Sequence, residues 1–186
     1  NLKPTSSKDP YAIRRMAISL VRLIVENETK IKLKDLIIYT CSAYRDQGYD
    51  FDTKKIQNEL SDFIIERLKN YLKEKKIRQD IIESSTFLLG LDDLLKAYKK
   101  SLCLNKNIKK EIGFETIAVY KRSSNILNTE EKISVESLGF ADPGLFKNDY
   151  EKKLYKKIND IRKYFLSIGK DENYEESLKI LSSIKN

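Results

Sequence analysis

Lys121, Arg122 and Asn125 sit within the run AVYKRSSNIL, residues 118–127, and bring two cations and an amide within reach of one another. On a helix with 3.6 residues per turn, positions three and four apart share a face. Phe114, Ile117 and Ala118 should therefore open a core-facing stripe, and Lys121 and Asn125 fall where that stripe would continue. Arg122 stands beside them. A point charge, a planar cationic fork and an amide on one rigid mount are groups that hold an anion. Two alternatives compete with this: a solvated helix end that has slipped past the core, or an internal role in which Lys121 or Arg122 binds helix-end carbonyls or a carboxylate and Asn125 caps the turn at Leu127.

Other chemistry is sparse. Histidine is absent from the 186 residues, which removes the commonest general acid–base group and the commonest metal ligand. No phosphate-binding loop, dinucleotide fingerprint or nucleophile elbow is present, and there are only six glycines. No catalytic residue, metal site or cofactor site is expected. Cys41 and Cys103 lack metal-site or redox spacing and read as reduced, small buried hydrophobes, which points to the cytoplasm.

Lys and Arg number 36 against 28 Asp and Glu, a net charge of +8 that favours anionic partners, nucleic acid first. Lysine, isoleucine and asparagine are abundant throughout, as an AT-rich genome would produce without functional cause. No apolar run approaches the roughly 18 residues of a membrane span. NLKPTSSKDP at the start has neither an initiating methionine nor an apolar signal core, so a fragment or processed chain is expected.

The elements that position these groups read as helices throughout. Asp9 can cap a first helix with Pro10 at its first position, and Ile13, Met16, Ala17, Leu20 and Ile24 form its stripe. A second helix runs from about Lys34 to Asp46 and stops at Gly48. Asp52 caps a long third helix with Ile56, Leu60, Phe63, Ile64 and Tyr71 inward. Arg67 projects into that face and calls for an internal carboxylate, Asp80 or Asp9. A brief helix capped by Asp80 follows, then one with Leu91, Leu94, Leu95 and Tyr98 inward and its lysines outward. Past the stretch of Lys106 to Leu127, Gly139, Pro143 and Gly144 mark turns. Asn148 then caps a helix with Leu154, Ile158, Ile161 and Phe165 along one side, Gly169 ends it, and NYEESLKILSSIKN opens the last. No strand period or internal repeat is visible. The expected class is an all-α helical bundle of eight or so helices.

Taken in order, SSKDPYAIRRMAISLVRLIVE, FIIERLKNYL, AVYKRSSNIL and LFKNDYEKKLYKKI resemble landmarks of the bacterial glycyl-tRNA synthetase beta subunit, across essentially the whole chain. The matching patterns are D-P-[FY]-x-[LI]-R-R, K-R-x-x-N-I and E-x-x-L-[YF]. Ser6 departs from the glycine usual before K-D-P, which affects a turn more than function. The resemblance implies a tetramer of two alpha and two beta chains, in which the alpha chain forms the adenylate with ATP and Mg and the beta chain recognises glycine tRNA. It implies two packed subdomains: residues 1–90 as the helical body or tail, and residues 91–186 as a DALR-type anticodon-binding domain of the arginyl-tRNA synthetase kind, truncated at its C-terminal end. It also implies that Lys121, Arg122 and Asn125 hold the anticodon stem-loop, lysine to phosphate, arginine to phosphate or an unpaired base, asparagine to a base edge. A scaffold that docks other subunits without touching RNA is the competing function.

Overall fold

A computed structural model describes residue 9 and residues 11–87, 93–129, 141–167 and 173–185. Among the described residues every regular element is helical: α1 (Ile13–Glu26), α2 (Leu33–Asp46), α3 (Thr53–Glu74), α4 (Gln79–Thr86), α5 (Leu94–Asn107), α6 (Glu111–Thr129), α7 (Asp149–Ser167) and α8 (Tyr174–Ser182). The all-α expectation holds. Contacts divide the chain into one unit of Asn1–Asn105 and a second of Lys106–Asn186. The sequence reading starts the second domain at Leu91, outside the described residues. Most of α5 belongs with the first unit, where Leu94, Leu95, Ala97 and Ser101 are buried.

In the first unit α3 is the hub, packed on by α1, α2 and α4. Its core joins Val21, Ile24 and Val25 of α1, Leu33, Ile37 and Cys41 of α2, Ile64, Leu68, Tyr71 and Leu72 of α3, and Ile81 and Ile82 of α4. α1 starts at Ile13 with Ala12, φ 55°, in the cap position, three residues later than a start at Asp9 and Pro10 would give. Asp9 still serves the entry, its carboxylate accepting from the Ile13 and Arg14 N–H groups at 2.9 and 3.0 Å. Pro10 lies outside the described residues. Asp52 caps α3 as expected, accepting from the Lys55 N–H at 3.1 Å, and Gly48 follows α2 with φ 89°.

Three further expectations are corrected. Met16 is 59% exposed and Leu60 37% exposed, because the buried arcs run instead through Val21 and Val25 and through Leu68 and Leu72. Asp80 does not cap α4: Arg78 holds the cap position and grips the Asp80 carboxylate at 2.7 and 3.1 Å. That grip, together with the capping duty of Asp9, leaves neither acid to Arg67. Its guanidinium lies 4.8 Å over the Phe63 ring, and its Nε is buried without a hydrogen-bond partner. Cation–π attraction stands where an ion pair was expected.

Tyr71 is almost fully buried and donates its hydroxyl proton to Glu26 at 3.1 Å, with the Tyr98 ring 6.1 Å away. Burial first, then the bond to Glu26, raises its pKa above the ordinary 10.0. The fold therefore holds this proton more tightly than the unfolded chain does. Its contribution to stability is complete below pH 10 and is lost as pH rises through the folded value. Unfolding free energies measured from about pH 8 to 11 should fall more steeply for the wild type than for Tyr71→Phe; parallel curves would contradict the assignment.

The second unit is built on α8, against which both α6 and α7 pack, as they do on the turn Ser183–Lys185 that follows it. Asn148 and Glu151 cap α7 reciprocally: Asn148 Oδ1 accepts from the Glu151 N–H at 2.9 Å, and the Glu151 carboxylate accepts from the Lys147 and Asn148 N–H groups. Asn173 caps α8 through the Glu176 N–H at 3.0 Å. The expected apolar stripe of α7 is only partly covered, with Leu154, Ile158 and Phe165 each close to half exposed. Gly139 and Gly169 lie outside the described residues.

Candidate nucleic-acid interface

The α5–α6 junction sets where α6 starts. Its tightest point is Gly113, where a β-carbon would sit 2.3 Å from the Asn107 carbonyl oxygen and 2.7 Å from Ile108 Cα. Those are backbone atoms, so the approach requires glycine. Around it the Lys110 N–H donates to the Asn107 carbonyl at 2.9 Å, and the Gly113 N–H donates to the Lys110 carbonyl at 3.0 Å. The Lys110 ammonium reaches the Asn107 side-chain oxygen at 3.2 Å, and Asn107 itself is buried. Glu111 in the first turn suits the positive end of the helix dipole.

From that anchored start α6 runs for 19 residues, about 28 Å. Its covered or half-covered positions include Ile112, Gly113, Thr116 and Val119. The opposite side is open to solvent: Phe114 is 63% exposed, and Ala118, Lys121, Arg122 and Asn125 are exposed as well. All five fall within about 100° of arc on a 3.6-residue helix. Lys121, Arg122 and Asn125 are thus brought together on one face. The sequence reading put that face into the core, and this is corrected: Phe114 and Ala118 point away from the packed side, so the cations interrupt no buried stripe. Asn125 does not cap a turn at Leu127 either, since α6 continues to Thr129.

Charge on this helix is segregated. Its acids, Glu111 and Glu115, both lie in the first half, and residues 116–129 carry Lys121 and Arg122 without any acid. The helix also outreaches its support, since α8 has nine residues and the turn after it three. Tyr120, Ile126 and Leu127 are accordingly exposed too. A second basic strip missed as a site by sequence reading lies on α7, where Lys152, Lys153, Lys156 and Lys163 are exposed. The dense lysine spacing was visible, but nothing in it distinguishes a binding face from a solvated one. Lys157 is committed elsewhere, donating to the Ser183 carbonyl at the end of α8. Among the described residues no group of three or more His, Cys, Asp or Glu could hold a metal ion, and no helix is long and apolar enough to cross a membrane.

Residues 1–86 match the model of a family described as glycyl-tRNA synthetase beta subunit. Along almost the whole chain there are similar proteins named glycine–tRNA ligase beta subunit. The one from Rickettsia canadensis is 33% identical over 182 residues, covering 97% of this chain and 25% of the relative. That from Cereibacter sphaeroides is 33% identical over 154 residues, 82% of this chain and 22% of the relative. That from Clostridioides difficile is 26% identical over 184 residues, 99% of this chain and 25% of the relative. The chain thus spans about a quarter of the length of these relatives. The family match ends before α6, whereas the similarity to the Rickettsia and Clostridioides proteins covers enough of the chain to include it.

Proposed function

This chain belongs to the glycyl-tRNA synthetase beta subunit family, and we propose that it serves as a tRNA-recognition part of a glycine–tRNA ligase, gripping the anticodon stem-loop with the outer face of α6. The observation that carries this reading is the joint exposure of Lys121, Arg122 and Asn125 on one face of a helix whose second half bears no acid. RNA sequence is readable mainly in single-stranded loops, where cations meet phosphate and amides meet base edges. A helix held by the Gly113 junction and by α8 is a stiff mount for such groups. Bond-making falls to the alpha chain, with ATP and Mg used there, in an assembly of two alpha and two beta chains in the cytoplasm. This chain contributes no catalytic residue of its own.

The test is a titration of the 186-residue chain with glycine tRNA and with an anticodon-changed tRNA over a range of salt. Binding should favour the unchanged anticodon and weaken steeply with salt. Arg122→Ala should cost about 1–3 kcal/mol of binding if it contacts a base. As an exposed residue it should shift stability by less than about 0.5 kcal/mol. Unchanged affinity together with a lowered melting temperature would return Arg122 to an internal role.

A second reading, a scaffold that docks other subunits, is favoured by the apolar side chains left open on the first unit: Met16 and Leu23 of α1, and Leu36, Ile38 and Tyr39 of α2. It predicts capture of the alpha chain with no RNA present, undiminished by Arg122→Ala.

A further inference from the structure

We infer that Phe114 is a stacking platform for an unpaired base, continuing the Lys121, Arg122 and Asn125 face toward the start of α6; this rests on the RNA reading above. A single exposed phenylalanine is ordinary on a protein surface. Its alignment here carries more information. Phe114 stands on the side of α6 turned away from the packed positions, in one row with Ala118, Lys121 and Asn125. Ala118 between the ring and the cations is the smallest side chain on the row and leaves space beside the ring. Seven residues separate Phe114 from Lys121, a rise of about 10 Å. That is the length of roughly three nucleotides at about 3.4 Å per stacked base. A strand whose phosphates meet Lys121 and the planar fork of Arg122 can lay a base on Phe114 without a change of direction. An aromatic ring accepts the π-face of any base, so the platform adds affinity without adding sequence preference. Residues 116–129, the part of this face that carries the cations, hold no acid, which favours a polyanion as its occupant. Glu111 and Glu115 flank the ring itself, so the ring contributes by stacking and not by charge.

The experiment compares Phe114→Leu, Phe114→Tyr and wild type in the full 186-residue chain, titrated with a glycine tRNA transcript carrying 2-aminopurine in its anticodon loop. Phe114→Leu keeps an apolar side chain but loses the π-face, and should weaken binding about five- to a hundredfold. Its salt slope should stay that of wild type, since no charge is removed. Fluorescence of the bound probe should rise, and Phe114→Tyr should restore both quenching and affinity. Wild-type affinity in Phe114→Leu, while Lys121 and Arg122 variants still weaken binding, would overturn the platform and leave the RNA reading standing. If all these variants bind alike, the RNA reading of α6 falls with it. A change of oligomeric state in Phe114→Leu, measured by sedimentation, would assign the face to a second copy of the chain and also overturn the platform.

Discussion

Gly113→Ala is expected to destabilise the second unit by at least about 1–3 kcal/mol, the usual cost of forcing an extra carbon into a packed site. Two effects oppose each other. Within a helix, alanine is ordinarily favoured over glycine by about 1 kcal/mol. Here the new β-carbon would lie 2.3 Å from the Asn107 carbonyl oxygen and 2.7 to 2.8 Å from the Ile108 backbone, distances that real β-carbons essentially never show. Neither neighbour is the end of a flexible side chain that could swing aside. Relief requires the α5–α6 turn to open, which strains the Lys110 N–H bond to the Asn107 carbonyl and displaces the start of α6. The steric term should win. Urea unfolding followed by circular dichroism measures the loss, and a stabilised variant would show that the turn yields cheaply. Because this turn sets the register of α6, glycine tRNA affinity should fall with stability, although position 113 itself is covered.

Most of the helices were legible in the sequence because their caps and stops are local. Asp52, Asn148 and Gly48 act where their chemistry places them, whereas α1 starts three residues later than Asp9 and Pro10 suggest. Phase was harder. Hydrophobic periodicity locates an apolar arc only to within one side chain, and neighbouring arcs on α1 and α3 both looked apolar. The stripes read from sequence place Met16 and Leu60 inside and omit Val21, Leu68 and Leu72, which on α1 and α3 have no exposed surface. On α6 the error had a different origin. Phe114 and Ala118 are apolar yet exposed, while the helix packs through Ile112, Gly113, Thr116 and Val119, with Ile117 half-covered as most of them are, a mixture too small and polar to read as a core face. Which face a helix buries is decided by its neighbour, and α8 lies some fifty residues further along the chain. The candidate site was therefore found in the sequence by its residue types, while the reason it is open to solvent came only with the fold. The partner of Arg67 was missed for the same cause, since both candidate acids are taken by nearer groups.

Leu68→Ala should be the most damaging of the simple truncations, at about 2–5 kcal/mol, from lost transfer energy together with the cavity left behind. Leu68 has no exposed surface and sits on α3, the helix on which α1, α2 and α4 converge, so several elements would have to shift to fill the space. Set against a typical stability of about 5–15 kcal/mol, such a loss removes a large share of the total. Leu60→Ala, on the same helix at 37% exposure, should cost no more than about 1 kcal/mol. The pair tests the phase of α3 directly, because the sequence stripe ranks Leu60 inside and omits Leu68. Equal losses in urea unfolding would mean that α3 is rotated from the position described. The same pair separates fold from function. Below its melting temperature Leu68→Ala should bind glycine tRNA as wild type does, while Arg122→Ala should unfold as wild type does and bind more weakly. A tRNA deficit in Leu68→Ala at temperatures where it is fully folded would move the RNA contact into the first unit and away from α6.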